Sequence, residues 1–235
     1  MKMKSKIILA LVGCVLSSSL YAMGEDDPLV TKVMIDQLET RITDGDDPLV
    51  LEAQAWIGYD LNKFVIKADV EQVKGVTEEL ELQALYSRAI SPFWDLQIGV
   101  RQDQKPTPSK SWLALGFQGL APNWFEIDTA LFIGESSQVG LRFQAEYEWM
   151  LTQRWVLSPE IELNFHSKDD SATATGSGLS DSQIGLRLRY EIKREFAPYI
   201  GVNWNKKYGQ TATYVKDAGG KTDDAQIVVG LRAWF

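Results

Sequence analysis

Three stretches of this chain carry acids in pairs, two residues apart: Glu126 and Asp128, Glu146 and Glu148, Glu160 and Glu162. In an extended chain, side chains at i and i+2 point to the same side, about 7 Å apart. Six carboxylates on one wall repel one another, so at least one should be protonated or hold a cation. The chemistry this suggests is cation attraction by hard oxygen donors. The single histidine, His166, follows the third pair, with Asp169 and Asp170 beside it. It could ligate a metal, and a solvated loop histidine is the plainer alternative. Hydrolysis would need a Ser–His pair or paired acids in a defined site. No pattern around His166 supports one, so the chain is not read as an enzyme.

The elements that must position these acids alternate. Val139, Leu141, Phe143, Ala145, Tyr147 and Trp149 fall on one face, and Gly140, Arg142, Gln144, Glu146 and Glu148 on the other. Leu157, Ile161, Leu163 and Phe165 likewise oppose Ser158, Glu160, Glu162 and Asn164. A period of two means strand. Twelve strands are predicted, near 33–42, 49–59, 63–72, 78–88, 93–102, 111–120, 124–133, 138–151, 155–165, 180–191, 197–206 and 225–235, with ten or fourteen as alternative counts. In the first, Asp36, Gln37 and Glu39 break the alternation.

The connections alternate too. Short turns, such as Asp60-Leu61-Asn62 and Ala121-Pro122-Asn123, interleave with polar and often longer loops, the longest being HSKDDSATATGSGLS and KKYGQTATYVKDAGGKTDD. Aromatics gather at the short-turn ends: Phe64, Phe93, Trp94, Trp124, Phe125, Trp155 and Phe196, with Tyr59, Tyr86, Trp149 and Tyr190. This is the pattern of an all-β, antiparallel, up-and-down transmembrane barrel with aromatic girdles in lipid. An ordinary β-sandwich core would give aromatics no reason to crowd one end of every strand.

A closed barrel needs its last strand to pair with its first, because lipid offers an edge no hydrogen bonds. The chain ends IVVGLRAWF, with Val229, Leu231 and the terminal Phe235 on one face. That resembles the signal read by the bacterial outer-membrane assembly machinery. Placing the charged faces inside adds Glu52, Asp69, Glu71, Glu81 and Asp95 to the six paired acids. Lys67, Arg101, Arg142, Arg187, Arg189 and Arg232 answer them. Acids exceed bases. Either the two sets plug the lumen as salt bridges, or the excess draws cations in; the two can coexist.

At the other end, residues 1–22 run from Lys2, Lys4 and Lys6 through an apolar stretch to Ala22, the order of a cleaved signal peptide. Leu11-Val12-Gly13-Cys14 also fits a lipoprotein cleavage box, the alternative reading. Cleavage near Ala22 removes three lysines and no acid, taking the formal charge from −8 to −11, and removes the only cysteine. No disulfide or thiolate then remains, and so acidic a chain does not suit nucleic acid. Residues 23–32 would be a short periplasmic segment and 33–235 the barrel.

Four stretches resemble the outer-membrane copper resistance protein B family of Gram-negative bacteria: QALYSRAISPFWDLQIGVRQD, GLAPNWFEIDTALFIGESSQVGLRFQAEYEW, GSGLSDSQIGLRLRYEIKREFAPYIGVNW and the terminal LRAWF. The resemblance runs from about residue 33 to 235. It implies an outer-membrane barrel of copper homeostasis, set in outer-membrane lipid and usually working alongside a periplasmic multicopper oxidase. Copper would be bound or transported, not used as a catalytic cofactor. Many members carry a Met- and His-rich segment ahead of the barrel, where this chain reads MGEDDPLVTK. Cu(I) prefers sulfur ligands, while Cu(II) accepts imidazole and carboxylate. The expected ligands are therefore Glu126, Asp128, Glu146, Glu148, Glu160, Glu162 and His166, holding Cu(II). The alternative is a structural or general small-solute barrel without metal specificity.

Overall fold

The alternating segments form strands that close on themselves. The computed structural model describes residues 27–235; the expected signal peptide lies outside the described residues. Twelve strands follow in order: β1 (Val30–Ile42), β2 (Pro48–Gly58), β3 (Asn62–Val73), β4 (Val76–Ser91), β5 (Trp94–Lys105), β6 (Lys110–Ala121), β7 (Phe125–Gly134), β8 (Val139–Tyr147), β9 (Trp155–His166), β10 (Gly178–Tyr190), β11 (Phe196–Lys207) and β12 (Asp223–Trp234). β8 resumes for two residues at Trp149–Met150. The gap falls where Pro159, which has no N–H to give the ladder, stands between the paired residues Leu157 and Glu160. β1 begins at Val30 rather than 33, so the strand takes in part of the segment expected to precede the barrel.

Every strand pairs antiparallel with its sequence neighbours, and β12 pairs with β1. That seam runs from Ile42 opposite Ile227 to Met34 opposite Trp234. Two backbone bonds extend it: Val33 N–H to the Phe235 carbonyl (3.0 Å) and Phe235 N–H to the Val33 carbonyl (2.8 Å). The terminal residue thus finishes the ladder, as a lipid-facing seam requires.

The outer surface is apolar. Ile66, Ile98, Leu113, Ile200 and Ile227 point outward and are exposed. Most aromatics of the short-turn ends are exposed as well, Trp124 by 70%. Phe125 packs on Tyr147 (ring centroids 5.0 Å apart) and Trp155 on Tyr190 (4.8 Å). Amphipathic rings at this level suit the lipid–water boundary. Inside, one wall is apolar: Val65, Leu85, Trp112, Ala114 and Phe132 pack together, with Trp56 and Ala130 against them. Val50, Val156, Ala197 and Val228 are further buried apolar residues, and most of the remaining interior is polar.

Two further features depart from the sequence expectation. In β1 the register shifts between Ile35 and Leu38. A bulge inserts one residue and turns the alternation over, so Asp36 and Gln37 both line the lumen, and Glu39 and Arg41 beyond them are buried. The acids that seemed to break the strand belong to its inner face. The last long loop also contains a helix, α1 (Gly209–Asp217). No side chain caps its start. Thr211 anchors it from a buried position, accepting the Gly176 N–H at 2.7 Å. Gly219, with φ +79°, ends it.

Candidate functional site

Register brings the expected acids onto one wall. Glu126, Glu146 and Glu160 are successive Cα partners across β7, β8 and β9, and Asp128, Gln144 and Glu162 form the next row. Most are answered, some from across the lumen and some from neighbouring strands. Lys67 of β3 reaches Asp128. Arg232 of β12 and Arg189 of β10 share Glu148 at 2.7 and 2.5 Å, and Arg189 lies 3.5 Å from Glu146. Arg187 holds Glu160 at 2.6 Å, with Gln37 at 3.0 Å. Gln144 and Asn164 each donate to Glu162 at 2.6 Å. Of the six, only Glu126 has neither a hydrogen bond nor an ion pair among the described residues.

His166 does not join this wall. It lies at the outer end of β9, where its Nδ1 is 3.2 Å from Ser180 Oγ. That serine is not a presented nucleophile. It is 1% exposed, and its hydroxyl is within donating reach of the Asn164 carbonyl (3.0 Å) and Asp181 (2.7 Å). The loop acids near His166 are engaged elsewhere. Asp169 accepts the Ser177 N–H at 2.6 Å. Asp170 takes Lys110 and Gln138. Burial alone would raise the Asp170 carboxyl, but hydrogen bonds from Lys110, Gln138 and the Ala172 N–H overcome it and hold its pKa at about 2.

A second acidic wall lies opposite the first. On β2, β3 and β4, Glu52 pairs in register with Asp69 and Asp69 with Glu81, while Glu71 faces Glu79 one step outward. Glu52, Glu71 and Glu79 have no hydrogen bond or ion pair among the described residues. Glu79 was legible, since it precedes the inward Glu81 by two residues. Two further acids are clamped between arginines. Glu81, 1% exposed, takes both Arg142 nitrogens (3.0 and 2.8 Å) and Arg101 (2.7 Å). Glu39, also 1% exposed, takes two bonds from Arg187 (2.9 Å each), one from Arg41 (2.8 Å) and one from the Tyr199 hydroxyl (3.0 Å). The bulge in β1 is what hid Glu39 and Arg41 from the alternation.

These walls enclose an inner cavity of about 590 Å³ at the short-turn end and an outer one of about 400 Å³ under the long loops. Among the described residues, no group of three or more His, Cys, Asp or Glu is arranged to hold a metal ion. The potential metal donors facing the lumen are overwhelmingly the hard oxygens of carboxylates and amides.

Residues 29–235 match the family described as copper resistance protein B precursor. The chain belongs to the copper resistance protein B family. It is 43% identical over 203 residues to copper resistance protein B of Escherichia coli, covering 86% of this chain and 69% of that protein. It is 41% identical over 210 residues to a copper resistance protein B homolog of Pseudomonas syringae pv. tomato, covering 89% and 71%. Among solved structures, the fold resembles the NanC porin (TM-score 0.58, 9% identity, covering 87% of this chain and 99% of that one). It also resembles the KdgM porin (TM-score 0.54, 12% identity, 88% and 99%). This family member is therefore a twelve-stranded barrel of the Gram-negative outer membrane with a role in copper resistance.

Proposed function

We propose that this barrel passes Cu(II) along the carboxylates of its lumen, holding the ion weakly at successive points. The observation that carries the reading is the set of inward acids with no hydrogen bond or ion pair among the described residues: Glu52, Glu71 and Glu79 on one wall and Glu126 on the other. An acidic cavity walled by low-dielectric protein concentrates cations. Carboxylate and imidazole suit Cu(II), and the His166 ring faces the outer cavity as the one imidazole on the route. Conduction needs binding that is favourable yet weak enough to release, which a row of single carboxylates supplies. The reading is one of binding and passage, without catalysis. A periplasmic multicopper oxidase would meet the ion at the short-turn end.

The test is Cu(II) entry into vesicles carrying the purified barrel, read with an entrapped chelating dye. Changing Glu52, Glu71 and Glu79 together to Gln removes charge and keeps size; Cu(II) entry should fall severalfold. The second set, Glu126, Asp128, Glu160 and Glu162 to their amides, should have the smaller effect, because all but Glu126 already have partners. If both variants take up Cu(II) like the parent, the lumen is not the copper route, and the general small-solute reading replaces this one.

A further inference from the structure

A third cavity, of about 90 Å³, lies between the inner and outer ones and shares lining residues with each. This waist is acidic. Glu52, Asp69, Glu71, Glu79 and Glu162 line it, with Arg41 and Arg142 as its only bases among the described residues. Arg142 lines all three cavities.

The Arg142 guanidinium is held from one side and loose on the other. Its two terminal nitrogens grip Glu81 and its Nε donates to Asn164 at 3.1 Å. Asp69 and Glu162 lie farther off, each at 3.6 Å. Phe132, which lines both chambers, lies beneath it, with the guanidinium carbon 5.8 Å from the ring centroid. Withdrawal of Arg142 would not strand Glu81, which keeps Arg101 at 2.7 Å. The position is thus occupied by a positive charge that is attached to the wall yet dispensable to its nearest anion.

We infer that Arg142 is a tethered counter-ion at the waist of the lumen, which keeps the passage between the two chambers shut and sets its ion selectivity until a mobile cation competes for the same carboxylates. Like charges crowded at the waist repel, and the fixed guanidinium relieves that repulsion without any bound ion. A divalent cation arriving at Asp69 and Glu162 supplies the same relief and frees the side chain to turn aside. The inference rests on the lumen being an ion route, as proposed above, and it names the residue that controls it.

Planar-bilayer recording of the full-length barrel in a KCl gradient tests this without copper. Arg142→Gln should raise single-channel conductance at least about threefold and move the reversal potential toward that of K⁺. One unit charge at about 4 Å alters local ion concentration by far more than this, and salt in the lumen screens part of the effect. Arg142→Lys should behave like the parent. Unchanged conductance and reversal potential in Arg142→Gln overturns the inference. Should that variant fail to fold, Asp69→Asn with Glu162→Gln keeps the Glu81 clamp and should shift selectivity toward Cl⁻; no shift overturns it equally. Because only K⁺ and Cl⁻ are read, failure here leaves Cu(II) passage standing, and a failed Cu(II) assay leaves this result standing.

Discussion

Glu39→Gln is the substitution whose cost the geometry fixes most tightly. The parent carboxylate is fully buried among Arg41, Arg187 and Tyr199, with four hydrogen bonds between 2.8 and 3.0 Å. The amide has the same size, so no cavity forms. It accepts through one oxygen instead of two and leaves two buried guanidinium groups facing a neutral partner. Breaking a buried pair from one side typically costs about 3–5 kcal/mol. Arg187 retains Glu160 at 2.6 Å and Gln37 at 2.7 Å, whereas Arg41 retains Gln183 at 3.1 Å. One base is left well compensated and the other poorly, which places the loss near the lower limit, about 3 kcal/mol. Urea unfolding in lipid vesicles, followed by tryptophan fluorescence, measures it. Glu195→Gln in an exposed turn is the control and should stay within about 0.5 kcal/mol. If Glu39→Gln matches the control, the cluster exchanges its partners for water, and the lumen is wet enough to make these bonds behave as surface pairs.

Three further outcomes are expected. Deleting Phe235 removes the two backbone bonds to Val33 and should lower the amount of folded, heat-modifiable barrel in the outer membrane, as immunoblots of unheated samples would show. An epitope inserted at the exposed Ala172 in the loop after β9 should bind antibody on intact cells; detection only after permeabilisation reverses the orientation. The depressed Asp170 pKa means its contribution to loop order is present above the ordinary value of 3.8 and lost as pH falls through about 2. Pepsin should therefore cut the loop 167–177 faster at about pH 2 than at about pH 3.5, and Asp170→Asn should remove most of that difference.

Strand number, inside and outside, and the closing strand were legible because lipid leaves few solutions. Each outward residue must be apolar and each backbone group paired, so period two survives through Ile66, Ile98, Leu113 and Ile200 without tertiary exceptions. The bulge in β1 was not legible as a bulge, because reading the strand in a single phase makes Gln37 and Glu39 look misplaced. Reading it from both ends would have shown two good half-strands out of phase at Asp36. Helix α1 left no periodic signal, since its one buried residue, Thr211, is held by the distant Gly176. That the acids of β7–β9 share one face of three adjacent strands was legible, but their register was not, and which of them stay unpaired depended on arms reaching from β3, β10 and β12. Alternation says that a side chain points inward, not how far across a lumen an arginine extends.

That reach would also couple stability to the passage proposed above. Most inward residues outside the Trp112–Phe132 cluster are polar and must satisfy one another, many of them across the axis. Lys67 to Asp128, Arg232 to Glu148 and Arg142 to Glu81 each tie together walls four strands apart. Every such tie braces the barrel and fills part of the lumen. The ties differ in what stays behind when one base withdraws. Glu148 keeps Arg189 and Glu81 keeps Arg101, so each carboxylate holds a second cation and the base can leave without exposing a bare buried charge. Glu39 also holds two arginines, but Arg41 and Arg187 are at most 5% exposed, against 14% for Arg101 and Arg142, so neither has open lumen to turn into. Substitutions at Glu39 should therefore act on stability with little change in conductance, and substitutions at Arg142 the reverse. Measuring both quantities on both variants separates the struts of the barrel from its proposed gate.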